Sequence, residues 1–107
     1  MSASPGLDLV YAKQDQIFKL CEQNQVARLE LFGSATSDRF NPKTSDFDFL
    51  VEFTAKSYHG AADRYFGLLY GLVDLLERAV DLVELEAVKN PYFLEAIAPT
   101  RVIVYGR

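Results

Sequence analysis

At 107 residues, half of them hydrophobic and 24% charged, the chain has the composition of one folded domain, which excludes a disordered segment and leaves no length for an independent substrate domain. Its formal net charge of -4 argues against general affinity for DNA or RNA, which needs clustered Lys and Arg, and makes a cation or a basic partner the better electrostatic match. The single Cys21 excludes an intramolecular disulfide, and the opening MSASPGLDLV lacks the basic start and apolar run of a signal peptide or spanning helix, so a cytoplasmic location is expected and a membrane is not.

Ser4-Pro5 reads as a helix cap followed by proline at the first helical position, and Leu7, Val10, Ile17 and Cys21 then recur at helical spacing. One amphipathic helix is expected over 5–23, with Cys21 as a small core residue. Val26 to Phe32 is a strand that Gly33 ends. From Ala35 to Ser45 the chain is polar around a lone Phe40 and is expected to bury little, with room for one helical turn near 36–39. Phe47 to Phe53 is a second strand, with Phe47, Phe49, Val51 and Phe53 on one face and Asp48, Leu50 and Glu52, in line with Asp46, on the other.

After a connection over 55–60, a second long helix is expected over 61–78 with a stripe of Tyr65, Leu69, Leu72 and Leu76. Phe66, Tyr70 and Val73 widen that stripe into either a broad core or a partner surface. A third strand is expected over 79–88, a short capped helix from Asn90-Pro91 to Ala98, and an edge strand over 101–105. No repeat or linker divides residues 1–107, so the expectation is a single α+β domain with a mixed sheet of three to four strands flanked by helices.

Three carboxylates stand out: Asp46 and Asp48 at the second strand and Asp81 on the third. If these strands are neighbours, all three converge, and an all-oxygen set of this kind selects a hard cation such as magnesium. One or two such ions stabilise the attacking and leaving oxygens of phosphoryl or nucleotidyl transfer. The Gly33-Ser34 turn adds a close backbone approach with N–H and hydroxyl donors for a phosphate, and Asp81 can also serve as base toward an acceptor hydroxyl. Glu52 shares the face of Asp48, while Glu84 and Glu86 fall on the opposite face from Asp81. His59, before Gly60 in a polar connection, reads as a loop residue.

The order strand, Gly33-Ser34, eleven residues, Asp46-Phe47-Asp48 in a strand, then Val80-Asp81-Leu82-Val83 resembles the minimal nucleotidyltransferases (MNT) of the DNA polymerase β-like superfamily. The resemblance implies a nucleotidyltransferase fold, magnesium, and transfer of a nucleoside monophosphate, AMP from ATP, with release of pyrophosphate. Asp46, Asp48 and Asp81 would be the metal-binding and catalytic carboxylates, and Gly33 and Ser34 would hold the triphosphate. Relatives often carry an early basic residue after Gly-Ser; here Ala35-Thr36-Ser37-Asp38 intervene, leaving Arg39 and Lys43 as the cations for the nucleotide. Small members commonly act with a HEPN-domain partner as a toxin–antitoxin pair in which a tyrosine of the toxin receives AMP. Two other readings stand beside this one: a non-catalytic nucleotide- or partner-binding module that neutralises by contact, and a structural oligomerising domain.

Overall fold

The structure, a computed structural model, describes residues 4–55 and 57–106. Residues 1–3 of the opening segment and Lys56 of the expected 55–60 connection lie outside the described residues. Four strands form one mixed sheet: β1 (Val26–Phe32), β2 (Phe47–Phe53), β3 (Val80–Glu84) and β4 (Val102–Tyr105), in the order β3-β2-β1-β4. β1 runs antiparallel to both β2 and β4, and β2 runs parallel to β3. A parallel pair needs a return crossover, and α3 (Ala61–Leu76) supplies it.

The expected first helix is two helices, α1 (Pro5–Ala12) and α2 (Gln14–Gln23), broken at Lys13. The break is invisible in the apolar period because Val10, Ile17 and Cys21 all still face the core. Its cause is that the two helices rest on different supports. Gly6 of α1 lies so close to the turn after β1 that a Cβ there would meet the Ala35 carbonyl oxygen at 2.3 Å, whereas α2 lies on α3. At that crossing a Cβ on Gly67 would come within 2.3 Å of Asn24 Oδ1, and one on Gly71 within 2.4 Å of Leu20. Ser4 caps α1 by accepting the Leu7 N–H at 3.2 Å.

The inner face of the sheet carries Leu29, Leu31, Phe47, Phe49, Val51 and Leu82, sealed under Val10, Ile17, Cys21, Leu68 and Leu72 from the helices. Each such fully buried side chain contributes about 1.5–3 kcal/mol relative to exposure. A register shift between Val26 and Arg28 brings Val26 onto the same face as Leu29, three residues on. Phe40, expected to stand alone in a polar segment, is buried and lies 4.9 Å from the Phe47 ring.

The other face is covered in part. Phe32 and Leu50 are buried with Ile97, against Val83, Leu85, Phe93 and Leu94. The cover is α4 (Pro91–Ile97), capped by Asn90, with Pro99 inside a following 3-10 turn, Ala98–Thr100. The face of β2 that carries Asp48 therefore also carries a small apolar cluster under α4.

Three further features differ from expectation. β3 stops at Glu84 rather than 88, because Val51–Glu84 is its last paired position and the chain then enters a 3-10 turn, Leu85–Ala87. The single helical turn in the polar segment comes earlier, at Gly33–Thr36. On α3 the innermost residues are Leu68 and Leu72, while Phe66 and Tyr70 are exposed and stacked on each other at 5.7 Å. Among the described residues no helix is long and apolar enough to cross a membrane.

Candidate active site

Asp48 on β2 and Asp81 on β3 are direct partners in the parallel register. Paired residues of adjacent strands share a face, so the two carboxylates stand side by side on the face that carries α4. Asp46 lies just before β2 and is exposed, as is Asp81, while Asp48 is half-buried. Burial pushes the Asp48 carboxyl above its ordinary range, and the negative charges of Asp81 and Asp46 push it further. Like charges within reach of one carboxyl are the electrostatic condition that a divalent cation relieves.

Gly33 completes this corner. Its φ of +76° is left-handed, and a Cβ there would sit 2.8 Å from Asp48 Oδ2, so both the backbone and the adjacent carboxylate require glycine. Ser34 beside it is exposed. The turn is held on two sides. The Ser4 hydroxyl donates to the Ala35 carbonyl at 2.9 Å, and the Gly33 N–H donates to Thr100 Oγ1 at 3.0 Å. The second bond bears on the donors expected of this turn, because the Gly33 N–H is engaged within the protein.

A loop over 37–46 joins the turn to β2. Its last part is anchored by Arg78, beyond α3, whose guanidinium donates to the Pro42 carbonyl and, at 2.7 Å, to the Ser45 carbonyl. The Phe47 N–H donates to the Ala79 carbonyl at 3.0 Å. These bonds set the position from which Asp46 projects. Arg39 and Lys43 are exposed on this loop. The Arg39 N–H donates to Ser37 Oγ and the Lys43 N–H to Asn41 Oδ1, both local turn contacts.

Among the described residues no group of three or more His, Cys, Asp or Glu side chains is gathered closely enough to hold a metal ion. The donor set nevertheless suits a hard cation, being all carboxylate, with Asp46 and Asp81 exposed and able to turn toward Asp48. Glu52 is not part of this corner. It pairs with Arg28 at 3.9 Å and lines a cleft of about 200 Å³ with Arg64, Glu84 and Glu86 at the other end of β2 and β3. That cleft contains neither Asp48 nor Asp81, and the corner rather than the cleft has the all-carboxylate donor set of a transfer site. His59 is exposed in the connection before α3, and its carbonyl accepts from Arg64 at 2.9 Å.

Thr100, Arg78 and Ser4 carry no signal in the sequence for these contacts, since each acts across 31 or more residues. Glu30 is a further case: only 5% exposed on β1, it accepts two bonds from Arg101, at 3.0 and 2.8 Å, and lies 3.4 Å from Arg28.

Neighbouring acidic strands beside a left-handed glycine turn, on a small mixed sheet with helices, define a protein of the phosphate-transfer class. The chain belongs to the nucleotidyltransferase domain family, whose profile matches residues 15–105. No curated protein matches it. Among solved structures it is similar to a minimal nucleotidyltransferase at 24% identity, covering 90% of this chain and 93% of that one with a TM-score of 0.64. A complex of a tri-AMPylated HEPN toxin with an MNT antitoxin from Shewanella oneidensis matches at 20% identity, over 92% of this chain and 73% of that one, with a TM-score of 0.63. A toxin–antitoxin structure with AMP-PNP matches at 22%, over 88% and 73%, with a TM-score of 0.65. These identities establish a shared fold, the mixed α+β nucleotidyltransferase fold expected from the sequence.

Proposed function

We propose that this chain, as one nucleotidyltransferase domain, transfers AMP from ATP to a hydroxyl of a partner protein, a tyrosine of a HEPN-domain toxin, and thereby acts as its antitoxin. The observation that carries the reading is the register pairing of Asp48 with Asp81 beside Gly33, whose missing side chain leaves room for the Asp48 carboxylate. Asp46, Asp48 and Asp81 would hold one or two magnesium ions. When bound, magnesium neutralises charge on the α-phosphate and on the departing pyrophosphate.

The chain's own residues do the rest. Ser34 and the backbone after it hold the triphosphate, with Arg39 and Lys43 as the nearby cations. The acceptor oxygen attacks the α-phosphorus, the bond to the β-phosphate oxygen breaks, and pyrophosphate leaves. The Asp81 carboxylate takes the hydroxyl proton. The partial cover of α4 leaves the carboxylate corner exposed at one end of the sheet, which suits an acceptor carried by another protein. The reducing cytoplasm, where ATP and magnesium are abundant, is the compartment that fits.

The test is incubation of the pure protein with magnesium, labelled ATP and the HEPN-domain partner. Label on a tyrosine of the partner, lost in Asp46→Ala and Asp48→Ala, is the expected result. Neutralisation of the partner with no label, unchanged in both variants, would replace this reading with contact-only binding.

A further inference from the structure

The Gly33-Ser34 turn is built from the front of the chain but fixed from its far end. The Gly33 N–H donates to Thr100 Oγ1 at 3.0 Å, and the Thr100 hydroxyl donates its own proton to the Ile97 carbonyl at 2.7 Å. A hydroxyl has one proton and two lone pairs, so with the proton committed to Ile97 a lone pair is directed at Gly33. The next residue, Arg101, makes its two bonds to Glu30, on β1 three positions before Gly33. The segment 97–101 is therefore fastened to the end of β1 at two points. One of the two points is Gly33 itself, the residue that abuts the Asp48 carboxylate.

Glycine alone does not set where this turn sits. A left-handed glycine is permitted by its backbone but not held there, because it loses more conformational freedom on ordering than any other residue. The 3-10 helix that follows it spans only Gly33–Thr36, and Thr36 Oγ1 donates back to the Gly33 carbonyl at 3.0 Å. That local bond tightens the turn on itself without fixing it relative to β2. Phe32, just before the turn, is paired with Asp48 in the ladder, and the Thr100 bond adds a tie from Gly33 to the turn after α4, the element that shares the sheet face with Asp48.

We infer that Thr100 is a positioning residue for nucleotide binding: its hydroxyl holds the Gly33-Ser34 turn at the distance from Asp48 at which the triphosphate and the carboxylates are engaged together. The inference rests on the nucleotide-binding reading above and deepens it. It assigns the Gly33 N–H to the scaffold and the grip on phosphate to the donors after it. Valine at this position keeps the shape of threonine while removing both hydrogen bonds, and serine restores the hydroxyl.

Titration of the wild-type protein, Thr100→Val and Thr100→Ser with magnesium-ATP by calorimetry, together with thermal melts without nucleotide, tests it. Thr100→Val is expected to weaken magnesium-ATP binding roughly tenfold, about the 1.4 kcal/mol that a lost, left-unsatisfied hydrogen bond represents. Thr100→Ser should bind as the parent does. In the transfer assay the KM for ATP should rise by a similar factor while the KM for the partner protein stays unchanged. Equal affinity in parent and Thr100→Val overturns the positioning role and leaves the nucleotide-binding reading standing. A Thr100→Ser protein as impaired as Thr100→Val assigns the effect to packing and also overturns it. Absence of magnesium-ATP binding in the parent removes the nucleotide reading, and the inference with it.

Discussion

The two faces of β2 are made of alternate residues of the same seven-residue strand, yet they are used in opposite ways. Phe47, Phe49 and Val51 are sealed by α2 and α3, whereas Asp48 and Leu50 look toward α4, which covers Leu50 and leaves Asp48 half-exposed. The second face is partly core and partly site, and the division falls between neighbouring positions. A strand can thus carry stability on one side and chemistry on the other, because its side chains alternate strictly. The exposed pair Phe66–Tyr70 belongs to α3, on the sealed side. Its neighbour Tyr65, whose ring lies 5.1 Å from that of Phe66, donates its hydroxyl to the Leu82 carbonyl at 2.6 Å, so the α3 stripe reaches the edge strand that carries Asp81.

Substitutions on the two faces should separate cleanly. The largest loss of stability is expected from Phe49→Ala, about 3–5 kcal/mol by urea unfolding, with Leu50→Ala costing about 2–3 kcal/mol under its thinner cover. Equal losses would break the distinction. Asp48→Asn should reduce transfer roughly a thousandfold while raising the melting temperature by roughly 2 °C.

The sign of that second effect follows from the raised Asp48 carboxyl. The folded protein holds this proton to a higher pH than the unfolded chain does. Stability therefore falls as pH rises from the unfolded value through the folded one, and the ionised group is unfavourable above it. The advantage of Asp48→Asn should shrink as the pH is lowered through that titration. An advantage that grew on acidification would contradict the charge crowding.

Arg101→Ala should cost about 1–2 kcal/mol, because it leaves the buried Glu30 with Arg28 alone. A smaller effect is read by chemistry rather than stability. Burial pushes the Cys21 thiol up to about 12, so at pH 8 a thiol reagent should label it only as fast as the chain unfolds. Rapid labelling of the native protein would mean that the sealed face opens.

What was legible in the sequence was what local pattern carries. β1 and β2 fall at the residues expected, since alternation and the Gly33 and Asp46 boundaries mark them. The juxtaposition of Asp48 and Asp81 needed only that two strands be neighbours. The break at Lys13 has no sequence signal because both helices keep one apolar period, and Leu68 sits only one residue round the helix from the stripe of Tyr65, Leu69 and Leu72. Phe40 has only polar neighbours in sequence, while its burial comes from Phe47 in space. Arg78, Thr100 and the Glu30–Arg101 pair have no local signature at all. Each joins residues that only the finished sheet brings together.

Gly33 and Thr100 are 67 positions apart, and Glu30 and Arg101 are 71 apart. Closing loops of that length is an unfavourable, slow step, and during synthesis it must wait for residues 97–105 to emerge. The Gly33-Ser34 turn therefore acquires the second of its two supports only when the segment leading into β4 docks beside β1. A nascent chain that already shows β1, the turn and Asp48 still lacks this brace, so completion of the corner is tied to completion of the sheet.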